Sequence, residues 1–185
     1  MTRSAPIDLS KSQAAGRILD AAIRLFFAGG DAVAVHALAA SSANLFSELA
    51  MTGESGGAWR DRLRDDSSPA ARAMKETLNR AWNLFRHSQG AGDERLHFDP
   101  MESEYLMFFS VLECGDHQST SCCMEVFQLW YIAAYPERFP RSVPEFDEAM
   151  KTFSGLGSLP PALRVRRGRA VLEKICPPEP PDGVA

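Results

Sequence analysis

The sequence predicts an all-α fold, a helical bundle of five or six helices with a disordered C-terminal tail. Apolar residues recur every three or four positions over most of the chain, which is the spacing of one helix face. Glycines and prolines interrupt this pattern where helices can end. We find neither a strand-like alternation of apolar and polar residues nor an internal repeat. These observations predict a bundle domain over residues 10–153, a basic helix over 154–175 and the tail over 176–185.

The first two helices are predicted to form an αα-hairpin. The first begins at Ser10 or Ser12 and ends at Gly29 and Gly30, and Asp31 caps the second. Because the connection is very short, the second helix must run back along the first, and its small residues over 39–43 allow close packing. We expect His36, near its start, to be partly exposed and to contribute to packing.

The clearest helix pattern runs from Pro69 to His87 and carries the candidate catalytic pair. Arg80 and His87 are seven residues apart, about two turns, so both side chains point to the same side. A guanidinium could bind a phosphodiester while an imidazole transfers a proton. The alternative interpretation is a solvated polar face with a histidine near the negative end of the helix dipole.

The second half of the chain is predicted to contain four more helices. A capping box of Asp99 and Glu102 opens the first, with Tyr105, Phe108 and Leu112 among its inward residues, and Gly115 ends it. The other three are predicted over residues 121–135, 143–153 and 161–175.

Composition and charge limit the classes of binding partner that we expect. Hydrophobic residues make up 45% of the chain, charged residues make up 24%, and the formal net charge is −4. These values are ordinary for a soluble globular protein and give no general attraction to nucleic acid or anionic lipid. One local exception is the arginine cluster of the last predicted helix, which is either an exposed basic face or a phosphate-contacting surface for a nucleic acid such as RNA. Its members are Arg164, Arg166, Arg167 and Arg169.

The four cysteines show no disulfide-framework spacing. We find no export leader and no apolar run long enough to span a bilayer, so we expect a cytoplasmic protein with reduced thiols and no membrane partner. Cys114, His117, Cys122 and Cys123 resemble half of a zinc site. Because Cys123 lies on an inward stripe and no second Cys-x2-Cys pair exists, we expect no metal and no cofactor.

Three stretches carry a resemblance to known proteins. They are RLFFAGGDAVAVHALAASSANLFSEL, NRAWNLFRH and FQLWYIAAYPERF, and together they look like a group of small uncharacterised bacterial helical proteins with VHxLA and NxFxH stretches. More distantly, the arrangement is similar to the HEPN superfamily of helical, often dimeric, metal-independent ribonucleases. The motif of that family is an arginine, four to six residues and a histidine, which Arg80 and His87 match. Ala81 departs from it, since the family usually has a polar residue there.

Two functions remain open from the sequence. The first is a non-catalytic interaction or scaffold module that forms homo-oligomers through an exposed helix face. The second, which the resemblance implies, is a HEPN-like ribonuclease in which Arg80 binds phosphate and His87 transfers a proton. No glycine-rich phosphate loop, GxSxG elbow or HExxH motif supports another enzyme class.

Overall fold

The computed structural model describes residues 6–52 and 98–177. Within these ranges it contains six α-helices and no β-strand, which confirms the all-α prediction. The helices are α1 (Lys11–Phe27), α2 (Ala32–Thr52), α3 (Met101–His117), α4 (Cys122–Ala134), α5 (Phe146–Thr152) and α6 (Pro161–Ile175). Short 3-10 helices at Pro136–Arg138 and Leu156–Ser158 connect the last three.

The N-terminal hairpin forms as predicted, with α1 packed along α2. Ser10 and Gln13 make a reciprocal capping box at the start of α1, with Oγ accepting from the Gln13 N–H at 3.1 Å. Gly29 adopts a φ of 72°, which a residue with a side chain rarely tolerates, and so ends the first helix. Ser42 donates to the Ala15 carbonyl at 2.9 Å, which shows how closely the small residues of α2 let the two helices approach.

The inner face of α3 differs from the predicted stripe. Leu112 is 43% exposed, whereas Glu102, Ser103 and Glu113 are buried. Since α3 contacts α2 on one side and α4 on another, its position between neighbours determines which residues are covered. The helix also continues through Gly115 to His117, because Gly115 does not take the left-handed conformation that ends helices.

An aromatic cluster joins α1, α4 and α6. The rings of Phe26 and Phe27 meet Trp130 edge-on, with centroids 5.3 and 5.5 Å away. Gly168 of α6 packs so closely on Phe27 that an added Cβ would lie 2.1 Å from the ring atom Cε1. Trp130 also donates its indole N–H to the Arg164 carbonyl at 2.9 Å. The C-terminal helix therefore packs onto the same core as the rest of the bundle.

A disulfide joins Cys122 to Cys176, so the expectation of four reduced thiols is wrong for this pair. The start of α4 and the end of α6 meet in space, which places the two Cα atoms 6.0 Å apart. Cys114 and Cys123 are free and buried, and the inward position predicted for Cys123 is confirmed. Cys176 is itself only 6% exposed, and residues 178–185 lie outside the described ranges.

None of the helices described here has both the length and the apolar character that a membrane span requires.

Candidate functional site

A cleft of about 340 Å³ opens where the starts of α2, α3 and α6 meet the end of α1. Its volume lies within the usual range of small-molecule and side-chain pockets. Ser103 is a polar residue of the lining. Most of the remaining wall is apolar and comes from Phe26, Ala32, Val35, Pro100, Ala162 and Val165.

The local sequence explains why this cleft is apolar although three helices begin there. Asp31 accepts from the Ala34 N–H at 2.9 Å, and Asp99 accepts from the Met101 N–H at 2.9 Å, so side chains cap α2 and α3. At the start of α6, Pro160 and Pro161 have no backbone N–H to offer. An anion would therefore find few donors at these helix starts, and an apolar group is the better match.

His36 lies buried between α2 and α3, next to the cleft residue Ser103. Its side chain is 0% exposed, and its Nδ1 lies 3.2 Å from the Ser103 hydroxyl. The ring of Phe98 packs edge-on against it at 5.0 Å. Burial lowers the pKa of His36 to about 4, so the imidazole is neutral at neutral pH.

The expectation that His36 is partly exposed is therefore wrong. His36 precedes Ala40 by four residues and Ala43 by seven, which places it on the small-residue face that packs closely against its neighbours. That spacing is visible in the sequence and could have identified His36 as buried.

A second polar cluster surrounds Glu104 on α3. The Tyr135 hydroxyl donates to the Glu104 carboxylate at 2.7 Å. Burial raises the pKa of Glu104 to about 7, and the nearby guanidinium groups of Arg164 and Arg138 partly oppose this shift. Arg138 stacks over the Tyr135 ring at 4.2 Å and donates to the Tyr105 hydroxyl. Because these residues come from three separate segments, no sequence motif indicates the cluster.

Substituting Glu104→Gln is expected to make stability less dependent on pH. The folded-state pKa of about 7 exceeds the ordinary glutamate value of 4.5, so the folded protein binds more protons than the unfolded chain between these two pH values. The contribution of Glu104 to the free energy of unfolding is therefore fully present below the pKa of the unfolded chain. It is lost as the pH rises through the pKa of the folded protein. The variant should gain about 2 kcal/mol over wild type between pH 5 and pH 8, allowing for solvent screening. Urea unfolding across this range measures the difference, and parallel curves would contradict it.

The four arginines of the predicted basic surface occupy two different environments. Arg164 is half-buried and donates to the carbonyls of Leu159, Ala134 and Gly157 at 2.7, 3.0 and 2.6 Å. Arg166, Arg167 and Arg169 are exposed, and Arg169 pairs with Glu173 at 2.7 Å. The side chains of the other three arginines thus face solvent, whereas the Arg164 side chain links the backbones of neighbouring segments. Phosphate binding by this cluster stays a prediction.

The other predicted site residues fall largely outside the described structure. Arg80 and His87 belong to residues 53–97, and the side chain of His117 is likewise not described. The ribonuclease hypothesis therefore stays a prediction. In the part of the chain that is described, no three His, Cys, Asp or Glu side chains come together as metal ligands.

No family model, curated protein or solved structure matches this chain. The resemblance to small bacterial helical proteins and to the HEPN superfamily stays a prediction from the quoted sequence stretches.

Proposed function

We propose that this protein is a non-catalytic interaction module that self-associates through the cleft at the starts of α2, α3 and α6. The observation that carries the proposal is the apolar lining of a cleft of about 340 Å³. The neighbouring His36 is a poor general base, since its pKa of about 4 leaves little driving force for proton abstraction at neutral pH. Apolar contact is the better-supported role of this region.

The proposed occupant is the segment before α1 in a second copy of the chain. This segment exposes two large apolar residues, with Ile7 65% and Leu9 41% exposed. Helix α1 has 17 residues, so its two ends are about 25 Å apart. The segment precedes the N-terminal end of α1, and the cleft lies at the C-terminal end of the same helix. A molecule cannot reach its own cleft in this arrangement, whereas two copies can exchange their segments around a two-fold axis.

Sedimentation velocity over a concentration series tests this proposal with three variants. Ile7→Asp alters the inserted segment, and Val165→Glu alters the cleft wall. Leu112→Asp is the matched control, because Leu112 is an exposed apolar residue outside both surfaces. The wild type and the control should dimerise equally. Each of the other two variants should weaken the dimer by tenfold or more, since burial of such a side chain contributes about 1.5–3 kcal/mol.

Two results would contradict self-association through the cleft. One is a wild-type protein that stays monomeric up to its solubility limit. The other is a dimer that Ile7→Asp and Val165→Glu leave as tight as the control does. Circular dichroism of each variant confirms that the helices remain, so that a lost dimer is not a lost fold.

A further inference from the structure

We propose that Cys122 is the attack site for a dithiol reductant, and that reduction of the Cys122–Cys176 disulfide releases the last turns of α6. The two cysteines differ in accessibility: Cys122 is exposed, whereas Cys176 is buried at 6% exposure. An incoming thiolate therefore reaches the Cys122 sulfur first. This proposal does not depend on the self-association proposed above, since the α6 residues of the cleft, Ala162 and Val165, belong to the other end of the helix.

The exchange reaction is balanced by the reductant itself. One thiolate of the dithiol attacks the Cys122 Sγ, the disulfide bond breaks, and Cys176 leaves as a thiolate that takes up a proton. The second thiol of the reductant, as its thiolate, then attacks the reductant sulfur of the mixed disulfide and releases Cys122. The reductant ends as a disulfide, and the protein gains two electrons and two protons. Cys122 is the first residue of α4, so the helix dipole stabilises the Cys122 thiolate that leaves in this second step.

The other two cysteines are poor competitors for this chemistry. Cys114 is 0% exposed and Cys123 is 3% exposed. Burial raises the pKa of both thiols, so neither is readily converted to the reactive thiolate. Among the four cysteines of the chain, Cys122 is therefore the point at which an external thiol meets the protein.

More non-covalent contacts hold the start of α6 than hold its end, where the disulfide adds a covalent link. At the start, Arg164 donates to three carbonyls, and Gly168 packs on Phe27. Towards the end, Leu172 is buried, and the Arg24 guanidinium donates to the Cys176 carbonyl at 3.2 Å. Ile175, in the last turn, is 54% exposed. Loss of the covalent link should therefore release residues 169–176 while residues 161–168 stay in place.

Hydrogen exchange followed by mass spectrometry tests the release on the full chain, before and after treatment with dithiothreitol. After reduction, amides of residues 170–176 should exchange at least tenfold faster and at early labelling times, whereas those of 162–168 should stay protected until the whole domain unfolds. The double variant Cys122→Ser/Cys176→Ser should match the reduced wild type and should not respond to dithiothreitol. The wild-type comparison needs no substitution, so a variant that folds poorly does not prevent the test.

Three outcomes of this experiment would overturn the proposal. Four free thiols in the protein kept in an oxidising buffer would remove the disulfide itself. Unchanged exchange after reduction would show that other contacts hold the end of α6. Loss of protection at the same early labelling times along all helices would make the disulfide a general structural crosslink.

Peptide mapping identifies the attacked sulfur. The oxidised protein is treated briefly with reduced glutathione, quenched with acid and digested. Glutathione should be found on Cys122, and its presence mainly on Cys176 would overturn the assignment of the attack site.

Discussion

Substituting Cys176→Ser is expected to lower the free energy of unfolding by about 4 kcal/mol in an oxidising buffer. The disulfide joins residues separated by 54 positions, and this crosslink limits the conformations of the unfolded chain. In the chain-entropy description, a closed loop of this length gives a stabilisation of that size. Serine replaces the sulfur with a smaller oxygen and leaves the rest of the side chain in place, so the missing crosslink accounts for most of the loss. Urea unfolding of both proteins measures the difference.

The substitution of the other disulfide cysteine and treatment with a reductant provide the controls. Cys122→Ser should lose the same amount as Cys176→Ser, and the double variant should lose no more, because all three remove one crosslink. In dithiothreitol, the wild type should become as unstable as the variants. A wild type with the same unfolding midpoint in oxidising and reducing buffers would show that the crosslink does not contribute.

The fold class was predictable because helix formation leaves a local record in the sequence. The three-to-four spacing of Ala15, Leu19, Ala22 and Ile23 on α1 matches residues that are fully buried in the structure. The capping residues Ser10 and Asp31 likewise act within a few positions of themselves. Features of this kind need no knowledge of distant neighbours.

Features that depend on the tertiary arrangement were missed for a physical reason. Cys122 and Cys176 meet only because α6 runs back towards the start of α4, which no spacing between cysteines encodes. The buried side of α3 depends on contacts with both α2 and α4, so apolarity alone placed Leu112 inward although it is exposed. Burial of polar residues such as Glu102 cannot be inferred from a rule that assigns apolar residues to the interior.

The candidate site also combines features that are local in the sequence with features that depend on the tertiary arrangement. Val35, Pro100 and Ala162 line one cleft although they come from three distant segments, and none of them belongs to a motif that indicates a cleft. The predicted pair of Arg80 and His87 relied on spacing within one helix, which is the kind of relation that a sequence can display. It lies outside the described residues.

Substituting Arg164→Ala is expected to lower the free energy of unfolding by about 3 kcal/mol. The guanidinium donates to the carbonyls of Leu159, Ala134 and Gly157, which belong to the loop before α6, the end of α4 and the 3-10 turn. Alanine would leave these partly buried carbonyls without their charged donor. Arg164→Lys should recover only part of the loss, because an ammonium cannot reproduce the planar arrangement of donors.

Arg166→Ala and Arg167→Ala are the matched controls for Arg164→Ala, since both residues are exposed on the same helix. Each should change the free energy of unfolding by no more than about 0.5 kcal/mol. Thermal and urea unfolding of the four variants separate the roles of these arginines. If Arg164→Ala proved as stable as the two controls, the carbonyl contacts would not hold α6 to the bundle. If the variant instead unfolds early while the controls remain intact, any later loss of RNA binding by Arg164→Ala must be corrected for its unfolded fraction. A phosphate-contacting role of the cluster is then best tested with Arg166 and Arg167, whose removal leaves the fold unchanged.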